Sequence, residues 1–170
     1  MVRGLRWIRD IALTVAIAMI LTAIFHHYII EVVRIPSGSM EPTIQIGERV
    51  MISKFVNVDN LAFGDIVVFY PPGEKERYIK RLIGLEGDQI EVKDGLLYRN
   101  GVKVQEEYLN EHMQYDFEEL VVPEGKLFFL GDNRNHSFDS HMWETPFVEE
   151  SQVVGKAVFK VYPFEEAEGL

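Results

Sequence analysis

Between Ile11 and Ile30 the chain reads IALTVAIAMILTAIFHHYII, twenty residues without Asp, Glu, Lys or Arg. At about 1.5 Å per residue, a helix of that length covers roughly 30 Å, the thickness of a bilayer's hydrocarbon core. Trp7 and Tyr28 stand near its ends, as interfacial aromatics do, and Arg3, Arg6 and Arg9 precede it. The positive-inside rule then puts residues 1–10 in the cytoplasm, 11–30 in the membrane and 31–170 outside. A cleavable leader has a shorter apolar region that ends in small residues, whereas this run ends in FHHYIIEVV. A helix buried in a soluble protein would carry a polar face. Here only His26 and His27 are strongly polar in the second half, which reads as an outer interface and not a metal site.

The rest of the 170-residue chain is long enough for one domain with a real core, and a hydrophobic content of 47% excludes disorder. Three of the 17 basic residues but one of the 27 acidic ones precede Glu31, so the outer part is more acidic than the net charge of −10 suggests. That balance argues against nucleic acid as a partner. The absence of cysteine removes disulfides, thiolate metal sites and cysteine nucleophiles.

Beyond Glu31 the pattern turns to short runs rich in Val, Ile, Phe and Tyr: RVMISKF (49–55), DIVVFY (65–70), RYIKRLIGL (77–85), QIEVKDGLLYRNGVKV (89–104), KLFFLGD (126–132) and VVGKAVFKVYP (153–163). Asp94–Gly95 and Asn100–Gly101 are strong tight-turn signals inside the fourth run. The fold class is therefore mainly β, a meander of short strands behind one membrane helix. Leu109–Leu120 is acidic and irregular, and is expected as a loop or one short helix.

Two places could carry chemistry. In RIPSGSMEPTI, Gly38 frees the backbone beside Ser39 while Pro36 and Pro42 stiffen both flanks, so the loop presents the Ser39 hydroxyl. Alone, the stretch equally fits an ordinary surface turn. A serine nucleophile needs a base from elsewhere. His136 and His141 flank Asp139 in GDNRNHSFDSH, so a Ser-His-Asp triad using either histidine with Asp139 or Asp132 is arithmetically open. The other base is Lys80. Strand alternation in RYIKRLIGL groups Lys80 with Tyr78 and Leu82 and sends Ile79, Arg81 and Ile83 to the opposite face. Moving a lysine from about 10.4 to between 7 and 8 takes roughly 4 kcal/mol of bias against its charge, which burial can supply. A salt-bridged edge lysine is the plainer alternative.

The segments PSGSMEPT (36–43), GDIVVF (64–69), YIKRLIGLEGD (78–88) and GDNRNHSFDS (131–140), in that order after one apolar span, resemble the successive motifs of the type I bacterial signal peptidases. These are membrane-bound serine-lysine endopeptidases. The resemblance runs from the span to about Val158 and implies an all-β catalytic domain that needs no cofactor or metal. It implies Ser39 as nucleophile and Lys80, held neutral, as general base. Ser37 would join the Ser39 amide in the oxyanion hole, and Ser137 would orient the lysine. Asp132, Asn133, Arg134 and Asp139 would form the shell that supports them. The implied partners are the signal peptides of exported preproteins, cut after Ala-x-Ala sites, and the lipid bilayer itself. The implied location is the outer face of the bacterial cytoplasmic membrane.

Three positions depart from the pattern of the family this chain resembles. His136 stands where Asn is frequent and His141 where Arg is frequent, and histidine at 141 would make a pairing with Asp139 sensitive to pH near 6 to 7. Glu144 stands where glycine usually follows the aromatic, which raises a question about the backbone after Trp143. A catalytically impaired, peptide-binding relative is the alternative these departures keep open. The stretch between Asp88 and Gly131 is short, so any accessory β-unit there should be small.

Overall fold

The computed structural model describes residues 2–170, with side chains described from Trp7 onward except at positions 8 and 23–28. Helix α1 (Val2–Tyr28) is followed by twelve strands: β1 (Ile30–Arg34), β2 (Arg49–Ser53), β3 (Ile66–Phe69), β4 (Tyr78–Gly84), β5 (Gln89–Lys93), β6 (Leu96–Arg99), β7 (Val102–Lys103), β8 (Phe117–Val121), β9 (Lys126–Leu130), β10 (Val148–Glu149), β11 (Val153–Tyr162) and β12 (Glu168–Gly169). The mainly β expectation holds.

The expected apolar span is realised as helix only as far as Tyr28. Ile30 already opens β1 and pairs with Ser53 of β2, so sheet pairing takes the end of the apolar run. Among the described residues, no helix is long and apolar enough to cross a membrane. Part of the expected span, residues 23–28, lies outside the described side chains.

A large sheet runs in the order β1-β2-β11-β3-β4-β9-β10, with β12 added to β11, and a small sheet runs β7-β6-β5-β8. The hairpins of the small sheet turn where the sequence signals them. Asp94 and Asn100 are the non-glycine residues with positive φ, at 52° and 54°, each followed by a glycine at 73°. That is the conformation a two-residue hairpin turn demands.

Alternation along the central strands sets the core. On β9, Leu127 and Phe129 face one cluster with Val67, Phe69 and Leu82, while Phe128 and Leu130 face another with Ile83, Ile90, Val92 and Leu97. The second cluster joins the two sheets. A third, with Ile35, Met40, Ile44 and Val50, underlies the serine turn.

The expected loop at Leu109–Leu120 ends instead in β8. Its FEELV sequence lacks period-two alternation because the pairing with β5 shifts register between Ile90 and Val92. The shift sets Phe117 opposite Val92 and Leu120 opposite Ile90, three residues apart on one strand and two on the other.

Candidate active site

The serine turn is anchored from below. Met40 and Ile44 are fully buried, the Ile44 amide donates to the Met40 carbonyl at 2.9 Å, and the Glu41 amide donates to the Gly38 carbonyl at 3.1 Å. Ser37 is exposed and Ser39 half-buried above this plug. Both serines line a cleft of about 560 Å³, whose other lining runs along Glu76–Lys80, with Asn133, His136 and Phe138 completing it.

Lys80 enters this cleft from the body of the large sheet, opposite Val67 of β3. It is 3% exposed. Burial pulls its ammonium down from 10.5 to about 8, while the charges of Asp139 and Asp132 act in the opposite sense. The shift corresponds to roughly 3 kcal/mol of bias against the cation. Its Nζ lies 5.7 Å from the centroid of the Tyr78 ring on the same strand face.

The segment after β9 ties the serine turn to that strand. The Asn133 amide donates to the Ser39 carbonyl at 3.1 Å, and Asn133 Nδ2 donates to the Gly38 carbonyl at 3.0 Å. Asp132 is gripped from both oxygens by Arg81, whose Nε and Nη2 donate at 2.8 and 2.6 Å, and it also accepts from the Thr43 hydroxyl. Arg134 donates through Nε to the Gly131 carbonyl at 3.0 Å. Asp139, fully buried, accepts the Gly131 amide at 2.9 Å on Oδ2 and meets His141 Nδ1 at 2.6 Å on Oδ1.

Gly131 is small because two catalytic candidates rest on it. A Cβ there would collide with the Ser137 hydroxyl and the Ser39 carbonyl. Ser137 Oγ is buried and has no hydrogen-bond partner among the described residues. We expect Gly131→Ala to push the serine turn off position and to lower turnover on the order of 100-fold, the cost of a misplacement of about 1 Å. Steady-state kinetics beside a melting curve checks this.

The two histidines part company. His136 lines the cleft. His141 holds Asp139 and stacks on Tyr115, with ring centroids 4.0 Å apart. Among the described residues, the histidine in the cleft with Ser39 is thus not the one paired with Asp139. Glu144 needs no special backbone, since positive φ outside glycine is confined, among the described residues, to Asp94 and Asn100.

Sequence reading missed Arg81, Thr43, Glu106, Tyr108 and Tyr115. Alternation correctly turned Arg81 away from Lys80 but left its destination open. Its neighbour Lys80 was the available signal, because a strand bearing one base toward a cleft has a structured opposite face as well.

A half-buried serine and a buried lysine in one cleft of a β fold form an arrangement used in one class of proteins, the serine-type endopeptidases. The chain belongs to one family within it: the family described as Signal peptidase, peptidase S26, matches residues 6–162. A probable signal peptidase I-1 of Synechocystis sp. is 37% identical over 156 residues, covering 86% of this chain and 79% of that protein. The signal peptidase I of Bacillus licheniformis is 37% identical over 172 residues, covering 94% and 89%. The crystal structure of a signal peptidase I from Enterococcus faecalis matches at 38% identity with a TM-score of 0.52, over 57% of this chain and 96% of that one.

Proposed function

We propose that this protein is an endopeptidase that removes signal peptides from exported preproteins through a Ser39/Lys80 dyad. The observation that carries the reading is the buried Lys80 with its lowered proton affinity, in one cleft with Ser39. Neutral Lys80 takes the Ser39 proton as Oγ attacks the scissile carbonyl. The Ser39 amide and the Ser37 hydroxyl receive the developing oxyanion, the kind of preorganised donation whose loss costs about 2.7–4 kcal/mol. Lys80 then passes its proton to the leaving amine, and water, activated by the same lysine, releases the acyl group. The Ser137 hydroxyl, buried and unpartnered among the described residues, is free to bond Lys80 when substrate is bound, and Asp132, Asn133, Arg134 and Asp139 hold the two walls in register.

The substrate adds as a strand. β9 pairs with β4 only from Arg81 onward, so Tyr78–Lys80 keep a free main-chain edge at the cleft. An extended peptide can pair with such an edge, and the Ala-x-Ala preference belongs to this mode. Residues 1–10 lie in the cytoplasm, the helical part of the apolar run, 11–28, anchors the chain in the bacterial cytoplasmic membrane, and 31–170 form the outer catalytic unit. From Ile30, the chain reaches Ser39 within about 30 Å even when extended, so the nucleophile works at the height where a signal peptide leaves the bilayer.

Incubating the purified full chain with an exported preprotein in detergent or lipid tests this. The expected product begins immediately after an Ala-x-Ala site. Binding of the preprotein without cleavage overturns the enzymatic reading in favour of a peptide-binding relative.

A further inference from the structure

The chain between β7 and β8 leaves the small sheet and returns to it, yet several of its side chains meet β4 and the segment after β9. Glu106 accepts from Arg134 Nη1 at 2.9 Å and from Nη2 at 2.5 Å, in a pair whose side chains are 6% and 0% exposed. The Tyr108 hydroxyl donates to the same Glu106 carboxylate at 2.6 Å, and its ring lies 3.9 Å from the Arg81 guanidinium carbon. The Met113 sulfur accepts from Arg134 at 3.5 Å. Asn135 reaches back to the same segment, accepting the Gln114 amide at 2.8 Å and donating to the His112 carbonyl at 3.0 Å. Tyr115 stacks its ring on His141.

These contacts share one destination. Arg81 holds Asp132, Arg134 holds the Gly131 carbonyl, and His141 holds Asp139, which in turn takes the Gly131 amide. Between those anchors sits Asn133, whose two donors fix the carbonyls of Gly38 and Ser39. Each basic residue behind the site is therefore covered by side chains of the segment: Arg134 by Glu106 and Met113, Arg81 by Tyr108 and His141 by Tyr115. A buried ion pair is a poor source of net stability, because desolvation offsets most of its attraction. It does hold a guanidinium in one orientation, which is what a positioning element needs.

We propose that Glu106–Tyr115 is a strap that positions the catalytic loops, with Glu106, Tyr108 and Tyr115 as positioning residues. The proposal rests on the Ser39/Lys80 reading for its catalytic consequence but not for its structural one. Tyr108→Leu and Tyr115→Leu keep every formal charge and carry the test, with Glu106→Gln as a third variant. Two measurements apply to the full chain: kcat and KM on a signal-peptide substrate, and amide hydrogen exchange read segment by segment.

The strap requires that Tyr108→Leu lower kcat about tenfold or more with KM within about twofold, as loss of positioning does. Exchange should quicken in residues 36–43 and 131–141 while the β5–β6 hairpin keeps its protection. Tyr108→Phe, which retains the ring over Arg81, should recover most of the turnover. Unchanged exchange in residues 36–43 in both leucine variants overturns the strap, even if melting temperatures fall. Exchange needs no substrate, so it decides the strap even for a protein that proves unable to cleave a signal peptide.

Discussion

Ser39→Ala should lower signal-peptide cleavage by about 10⁶-fold, the scale on which nucleophile removal acts in serine peptidases. The rest of the molecule should not notice. Ser39 is half-buried, its carbonyl is held by the Asn133 amide, and the turn stands on Met40 and Ile44, none of which uses the hydroxyl. Unfolding free energy is therefore expected within about 0.5 kcal/mol of the unmutated chain. Cleavage within tenfold of the original rate, with the fold intact, would remove Ser39 from the mechanism.

The second large effect belongs to Lys80, and it carries a pH signature. With its proton affinity lowered to about 8, the lysine is mostly charged at neutral pH and becomes an available base as pH rises through that value. Turnover should climb roughly tenfold per pH unit below about 8 and level off above it. Lys80→Met, which keeps most of the volume, should abolish both the activity and the pH limb. Retained activity in Lys80→Met together with loss in His136→Ala would transfer the role to the histidine in the cleft.

Removing Lys80 should move stability the other way from activity. A lysine whose proton affinity is lowered on folding binds more protons when unfolded, between about 8 and its ordinary 10.5. The protein therefore gains stability from this group as pH rises through that window, and below about 8 carries the full cost of its burial. Lys80→Met should accordingly melt higher than the unmutated chain at pH 7, with the advantage shrinking toward pH 10.5. Urea or thermal unfolding at the two pH values reads this directly.

Much of this was legible in the residues. Asp94–Gly95 and Asn100–Gly101 announce their hairpins because few other pairs tolerate positive φ twice in succession. Alternation in RYIKRLIGL placed Lys80 with Tyr78 and Leu82, and the structure keeps that grouping. The motif segments brought Ser39, Lys80 and the 131–140 stretch together on paper, and they are neighbours in space.

What escaped depends on contacts that sequence spacing does not encode. β8 hides behind a register shift, so its inward residues Phe117 and Leu120 fall out of step with a strand pattern. β1 hides at the end of an apolar run, where Ile30 reads as membrane until its partner Ser53 is seen. Glu106, Tyr108 and Tyr115 sit in an acidic stretch with no period, and their partners Arg134, Arg81 and His141 lie on other parts of the chain.

The half-paired strand β4 sets a limit on how this protein can recognise anything. Its open edge is three residues long, from Tyr78 to Lys80, before β9 closes it at Arg81. That is too short to zip against another sheet, which guards an exposed edge from self-association. It is also too short for main-chain pairing to hold a peptide tightly. On the proposed strand-addition reading, selection of a client would then fall to a few side chains close to the cut, and a processed chain would leave as readily as it arrived.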